Sequence, residues 1–166
     1  LCNKPPQPTI DGGCIAINNI SKGLLAKDIS LKILTIATEK HPFIPTAFSE
    51  EFQEKTNIEG VFVDTRVNII DAFSALITSD SYNISRFFSP DFDKKLTAGN
   101  KQDTIGLFYY AGHGLPDEVT KDAYLIPVDV SGSSVQYGIK LEDLYQSLVE
   151  HPVKKVTVFI DACFSG

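Results

Sequence analysis

Val156-Thr157-Val158-Phe159-Ile160-Asp161-Ala162-Cys163-Phe164-Ser165-Gly166 closes the sequence and decides how the rest is read. Its opening β-branched and aromatic run predicts a buried strand over 156–160, and the small residues that follow predict a sharp turn. Cys163 is then expected just past the C-terminal end of a strand, the edge where open α/β sheets bind ligands. Upstream, Thr104-Ile105-Gly106-Leu107-Phe108-Tyr109-Tyr110-Ala111 predicts a second buried strand, ended by Gly112-His113-Gly114. One strand end presents a thiol and another an imidazole.

A length of 166 residues suits one domain with a real core. Hydrophobic content of 43% and charged content of 22% are those of an ordinary globular protein. A net charge of −6 argues against nucleic acid or anionic membrane as a partner, since both call for basic patches. No apolar run approaches the roughly 18 residues of a membrane span. The reading is therefore a soluble protein, with the cytoplasm favoured and export left open. The sequence contains no methionine, so a processed or trimmed piece is expected; because it stops three residues after Cys163, the remainder of the domain is expected beyond Gly166. Cys2 and Cys14 would pair only in an oxidising compartment; two unrelated thiols near a loose terminus is the equal alternative.

Residues 1–27, rich in Pro and Gly, read as an N-terminal arm with one short strand at Cys14–Ile17, and 28–166 as the main domain. Strands are expected at 30–38 and 60–63, with a helix at 46–56 capped by Thr46 between them. Ile69, Ile70, Phe73, Leu76 and Ile77 predict an amphipathic helix over 68–78. Segment 79–103 reads as an exposed, mobile insertion. After the strand 104–111 come a loop at 115–123, an extended stretch at 123–127, a Gly/Ser turn at 131–134 and a helix at 140–150. That helix carries Leu141, Leu144, Tyr145, Leu148 and Val149 on one face. Strands alternating with helices predict an α/β fold, a mostly parallel sheet covered on both sides.

A thiol becomes a strong nucleophile when a base removes its proton, and imidazole is the usual base. If the two strands are neighbours, roughly 5 Å separates them. Gly112 and Gly114 leave room for a substrate, and the amides of Gly114 and Cys163 are candidates for stabilising an oxyanion. A buried cysteine alone is usually a core residue, and a Gly-His-Gly alone a tight turn; together at two strand ends they predict acyl-transfer chemistry. A cysteine α/β-hydrolase is excluded because position 161 is Asp and the G-x-C-x-G pattern fails. His41, His113 and His151 lack zinc-ligand spacing, so no metal is expected.

Tyr109-Tyr110-Ala111-Gly112-His113-Gly114 and Asp161-Ala162-Cys163-Phe164-Ser165-Gly166 resemble the paired motifs of caspase-like cysteine peptidases, most closely the metacaspase and orthocaspase branch. Tyr124-Leu125-Ile126-Pro127-Val128-Asp129 is similar to that branch too. The resemblance is strong over 104–166, extends to 29–78, and does not reach 1–27. It implies a caspase–haemoglobinase fold, incomplete here at the C-terminus, with His113 as base, Cys163 as nucleophile, and Gly114 and Cys163 as oxyanion donors. It further implies a protein or peptide substrate, maturation by self-cleavage, and a small-subunit segment of the same precursor as partner. Metacaspase-like relatives use an acid at the place of Asp161 to hold a basic side chain before the scissile bond. Cleavage after Arg, then Lys, is the expectation, although Asp161 could instead only accept backbone hydrogen bonds. At the end of a buried strand its charge would need such a partner.

Two departures stand out. Ala111 replaces a serine common in metacaspases, and loop Thr38–Pro45 lacks an acidic pattern for a second pocket residue. Asp129, Glu142 and Asp143 fall roughly where calcium-dependent metacaspases hold their metal. Acids at a helix start also suit its dipole, so the reading takes no cofactor, with calcium as the alternative. The rival of another class is a catalytically silent caspase-like scaffold or dimerisation module.

Overall fold

Two parallel strands, β3 (Ile105–Pro116) and β6 (Lys155–Cys163), pair without a break from Ile105↔Lys155 to His113↔Cys163. The computed structural model describes residues 1–64, 90–99, 103–126, 135, 138–150 and 153–164. β4 (Ala123–Ile126) pairs antiparallel with His113–Pro116 and, on its far edge, with β5 (Ile139–Lys140). A second ladder, parallel, joins β1 (Leu34–Ala37) and β2 (Glu59–Phe62). The sheet is therefore mixed, and the fold is α/β.

Leu1 and Cys2 join these ladders. Cys2 bridges Thr35 of β1 on one side and Tyr109 of β3 on the other. Its N–H donates to the Leu34 carbonyl, and its own carbonyl accepts from Ile36, both at 3.0 Å. The Tyr109 amide donates to the Leu1 carbonyl at 2.9 Å. Tyr109 also pairs with Phe159, so the Leu1–Cys2 segment and β6 flank β3 on opposite edges. The expected N-terminal arm thus begins inside the sheet.

That arm holds a second correction. Gly12–Leu25 forms helix α1, where a short strand was expected at Cys14–Ile17. Asp11 caps it by accepting the Cys14 amide at 2.9 Å. Cys14, Ile17, Asn18 and Ser21 recur at helical spacing and are buried. Three glycines, two asparagines and β-branched residues give this segment poor intrinsic propensity, so packing on β3 decides its state. Cys2 and Cys14 are buried free thiols in separate elements.

Ser49, not Thr46, caps α2 (Glu50–Thr56), accepting the Phe52 amide at 3.2 Å; Pro45–Ala47 is a separate 3₁₀ turn. Phe48 and Phe52, with ring centroids 5.7 Å apart, join Cys2, Ile17, Ile33, Tyr109 and Ala111 in one core cluster. Pro90–Gly99 forms helix α3 within the segment expected to be irregular, and Lys95 pairs with Glu59 of β2. The helix expected at 68–78, most of 79–103, and the 131–134 turn lie outside the described residues. In α4 (Leu141–Glu150) Leu148 is buried, whereas Tyr145 and Val149, expected on the same face, are exposed.

The run 156–160 is a strand but not a buried one: no residue of β6 is fully covered. Its outer edge has no partner strand among the described residues. Both motif strands run longer than expected. His113 lies inside β3 and Cys163 is the last residue of β6, neither in a turn.

Candidate active site

β-strand geometry sends alternate side chains to opposite faces, and register partners in a parallel pair share a face. Ala111 faces Asp161 and His113 faces Cys163 across the β3–β6 ladder. Tyr109, Ala111, His113, Asp161 and Cys163 therefore rise from one face, on strands about 4.8 Å apart. α1 covers the near part of that face: the Cβ position at Gly13 lies 2.6 Å from the Ala111 Cβ, so only glycine allows this approach. Beyond that cover, His113, Asp161 and Cys163 are exposed. The site is thus an open rim where the parallel β3–β6 pairing ends.

Asp161 was expected at the end of a buried strand, with its charge in need of a partner. It is exposed instead, on the strand that is outermost among the described ones, and its carboxylate accepts the Tyr109 hydroxyl at 3.4 Å. Burial, with the Asp161 charge adding to it, pushes the Tyr109 phenol up, so it stays protonated and donates.

The two glycines serve close approach, not turning; neither has a positive φ. A Cβ at Gly112 would stand 2.6 Å from the Tyr110 hydroxyl. That hydroxyl donates to the Ile126 carbonyl at 2.8 Å and lies 3.1 Å from the His113 carbonyl, locking the point where β3 passes to β4. Burial pushes the Tyr110 phenol up to about 12, which keeps it a donor. A Cβ at Gly114 would stand 2.4 Å from the Phe164 ring. Gly114 is buried, one residue beyond the His113–Cys163 pair.

Sequence reasoning missed Asn3. Its side-chain amide donates to the Ala111 carbonyl at 3.0 Å and accepts the Ala111 amide at 3.3 Å, imitating one more residue of strand. It also missed a polar knot beside α1. Asp11 Oδ2 accepts from Lys4 Nζ and lies against His41 Nε2, each at 3.0 Å. Partial burial pushes the Asp11 carboxyl up, but the Cys14 amide, Lys4 and His41 outweigh it and hold the group well below the usual carboxylate range. An acid does therefore stand beside α1, in the stretch read as an arm, with its charge already partnered. Glu142 and Asp143 occupy the exposed first turn of α4, while Asp129 lies outside the described residues.

Residues 90–166 match the caspase domain of the peptidase C14 family. The matched region is a little under half of the 166-residue chain and contains both motif strands. No curated protein matches the chain. The caspase-domain match supports a caspase-like cysteine peptidase, and with it a protein substrate. No described helix is long and apolar enough to cross a membrane.

Proposed function

We propose that this chain carries the catalytic dyad of a cysteine endopeptidase of the metacaspase or orthocaspase type, cutting after Arg and then Lys. The observation that carries the reading is the register pairing of His113 with Cys163 on neighbouring parallel strands. Two side chains of one face, one strand spacing apart and open to solvent, suit proton transfer followed by attack.

His113 takes the Cys163 thiol proton as the sulfur attacks the carbonyl carbon of the scissile bond. The C=O pair moves onto oxygen, which accepts N–H bonds from Gly114 and Cys163. Collapse breaks the C–N bond, and the His113 proton leaves with the amine. Water, deprotonated by His113, then attacks the thioester and releases the acid and the thiol. Asp161, exposed two residues before the nucleophile, is placed to meet a guanidinium of the substrate. The small-subunit partner, a later segment of the same precursor, would pair with the outer edge of β6 and complete the cleft.

The test is hydrolysis of two fluorogenic peptides that differ only in Arg or Asp before the leaving group, by full-length protein and its Cys163→Ala variant. Turnover of the Arg peptide alone, abolished in the variant, is expected. No turnover by wild type would favour the silent scaffold, and turnover that survives Cys163→Ala would remove the nucleophile assignment.

A further inference from the structure

The geometry points to a site for a thiophilic divalent metal ion, zinc foremost, formed by Asp11, Cys14 and His41. Their ligand atoms lie within 4.8 Å of one another. Three donor types converge from two separate pieces of chain, the start of α1 and the turn closed by Thr38 and His41. The imidazole and thiol are shut away from solvent, with His41 at 6% and Cys14 at 1% exposure, while Asp11 is only partly covered. Such a site leaves a fourth position open towards the carboxylate side, as three-ligand zinc sites do.

The separations suit the ion. Tetrahedral zinc with bonds of about 2.0–2.3 Å holds its ligand atoms roughly 3.3–3.6 Å apart. Asp11 Oδ2 and His41 Nε2 are 3.0 Å apart, a little close, and from the 4.8 Å bound the thiol needs to move in by about 1.5 Å at most. Binding forms a Zn–S bond as the Cys14 proton leaves to solvent, and His41 carries its remaining proton on Nδ1 so that Nε2 can ligate. The thiolate and carboxylate balance the double charge of the ion. Lys4, 3.0 Å from Asp11 Oδ2, is the group that competes, and it can stay on the carboxylate as an outer partner. Because Gly13 packs on Ala111, an ion here would tether α1 directly beside the strand position that faces Asp161.

The competing account is a metal-free ionic knot of Lys4, Asp11 and His41. Full-length Cys163→Ala protein, which lacks the exposed thiol, is stripped with chelator and titrated with Co²⁺ and then Zn²⁺. A sulfur-to-cobalt charge-transfer absorption saturating at one ion per chain, displaced by zinc, and a higher Tm with zinc are expected. Cys14→Ser should abolish the absorption and Cys2→Ser leave it unchanged. Lys4→Met should tighten binding by removing the competing charge, and this variant serves if Cys14→Ser does not fold. Absence of the absorption in Cys163→Ala, its survival in Cys14→Ser, or weaker binding in Lys4→Met would each overturn the site.

Discussion

The Tyr109 hydroxyl reaches across the β3–β6 ladder to the Asp161 carboxylate at 3.4 Å, coupling a buried strand residue to an exposed acid of the candidate site. Asp161→Asn keeps the shape and removes the charge. A lost charge-assisted pair is worth about 1.5–3 kcal/mol, so turnover of an Arg peptide should fall roughly ten- to a hundredfold in kcat/KM. Tyr109→Phe leaves the charge and loosens its position; a smaller loss, mainly in KM, is expected. An Asp161→Asn enzyme that still prefers Arg would place the specificity elsewhere.

His113→Gln preserves size and a polar end but cannot accept and return the thiol proton. General-base catalysis contributes about 10²–10⁴-fold, and kcat should fall by at least the lower figure. A loss below about tenfold would mean another group takes the proton.

Gly114→Ala drives a methyl group into the Phe164 ring, next to Cys163 in the chain. Misplacement of about 1 Å can cost a hundredfold in rate, so a steep fall in kcat with little change in Tm is expected. Phe164→Ala in the same chain gives the methyl room and should recover part of the loss. Failure of that rescue would show that the glycine is needed for something other than this contact.

Asn3→Ala strips both hydrogen bonds from the Ala111 backbone, which is buried. Leaving such groups unpaired costs about 1–3 kcal/mol, read as a lower urea midpoint at an unchanged m-value.

Acid should loosen the contact between β2 and α3. Hydrogen bonds from Lys32 and then Lys95 hold the Glu59 carboxyl down at about 2, against an ordinary value of 4.5. A lowered folded value means stability that is present above about 4.5 and lost as the pH falls towards 2. The pairs are partly exposed, so the contribution is below about 1 kcal/mol. Glu59→Gln should flatten the pH dependence of Tm in that window and leave the neutral-pH slope unchanged.

The two motif strands were legible because each is an uncharged run rich in β-branched and aromatic residues and ending in small ones, a signal needing no distant partner. Their parallel sense agrees with the expectation of a mostly parallel sheet, and the ladder supplies the neighbourhood that the sequence left as a condition; their lengths differ, since pairing with β4 and with each other carries both strands through His113 and Cys163. Burial was misjudged for the same strand that decided the fold. An apolar run looks alike in a central and an outer position, and only the ladder shows that β6 is outermost among the described strands. Residues 1–27 were misread for a different reason. Pro5 and Pro6 look like punctuation of a loose tail, yet both are fully buried. α1 could have been found from Asp11 followed by Cys14, Ile17 and Ser21 at helical spacing. Asn3, Tyr109 as a donor, and the Asp11–His41 contact depend on long-range packing and leave no local trace.

The seam at Leu1–Asn3 bears on the order in which the protein folds. β1 and β2 pair locally, and so do β3, β4 and β5, but the two groups meet through contacts such as Asn3 to Ala111, 108 residues apart in sequence. Closing so long a loop is entropically slow and is rewarded only once both sides exist. The strand that carries His113 is therefore expected to gain its final support late in folding. Thiol and imidazole would then lie on neighbouring strands before Asn3 fixes the strand that carries His113, so the candidate site is expected to reach its final geometry among the last steps of folding.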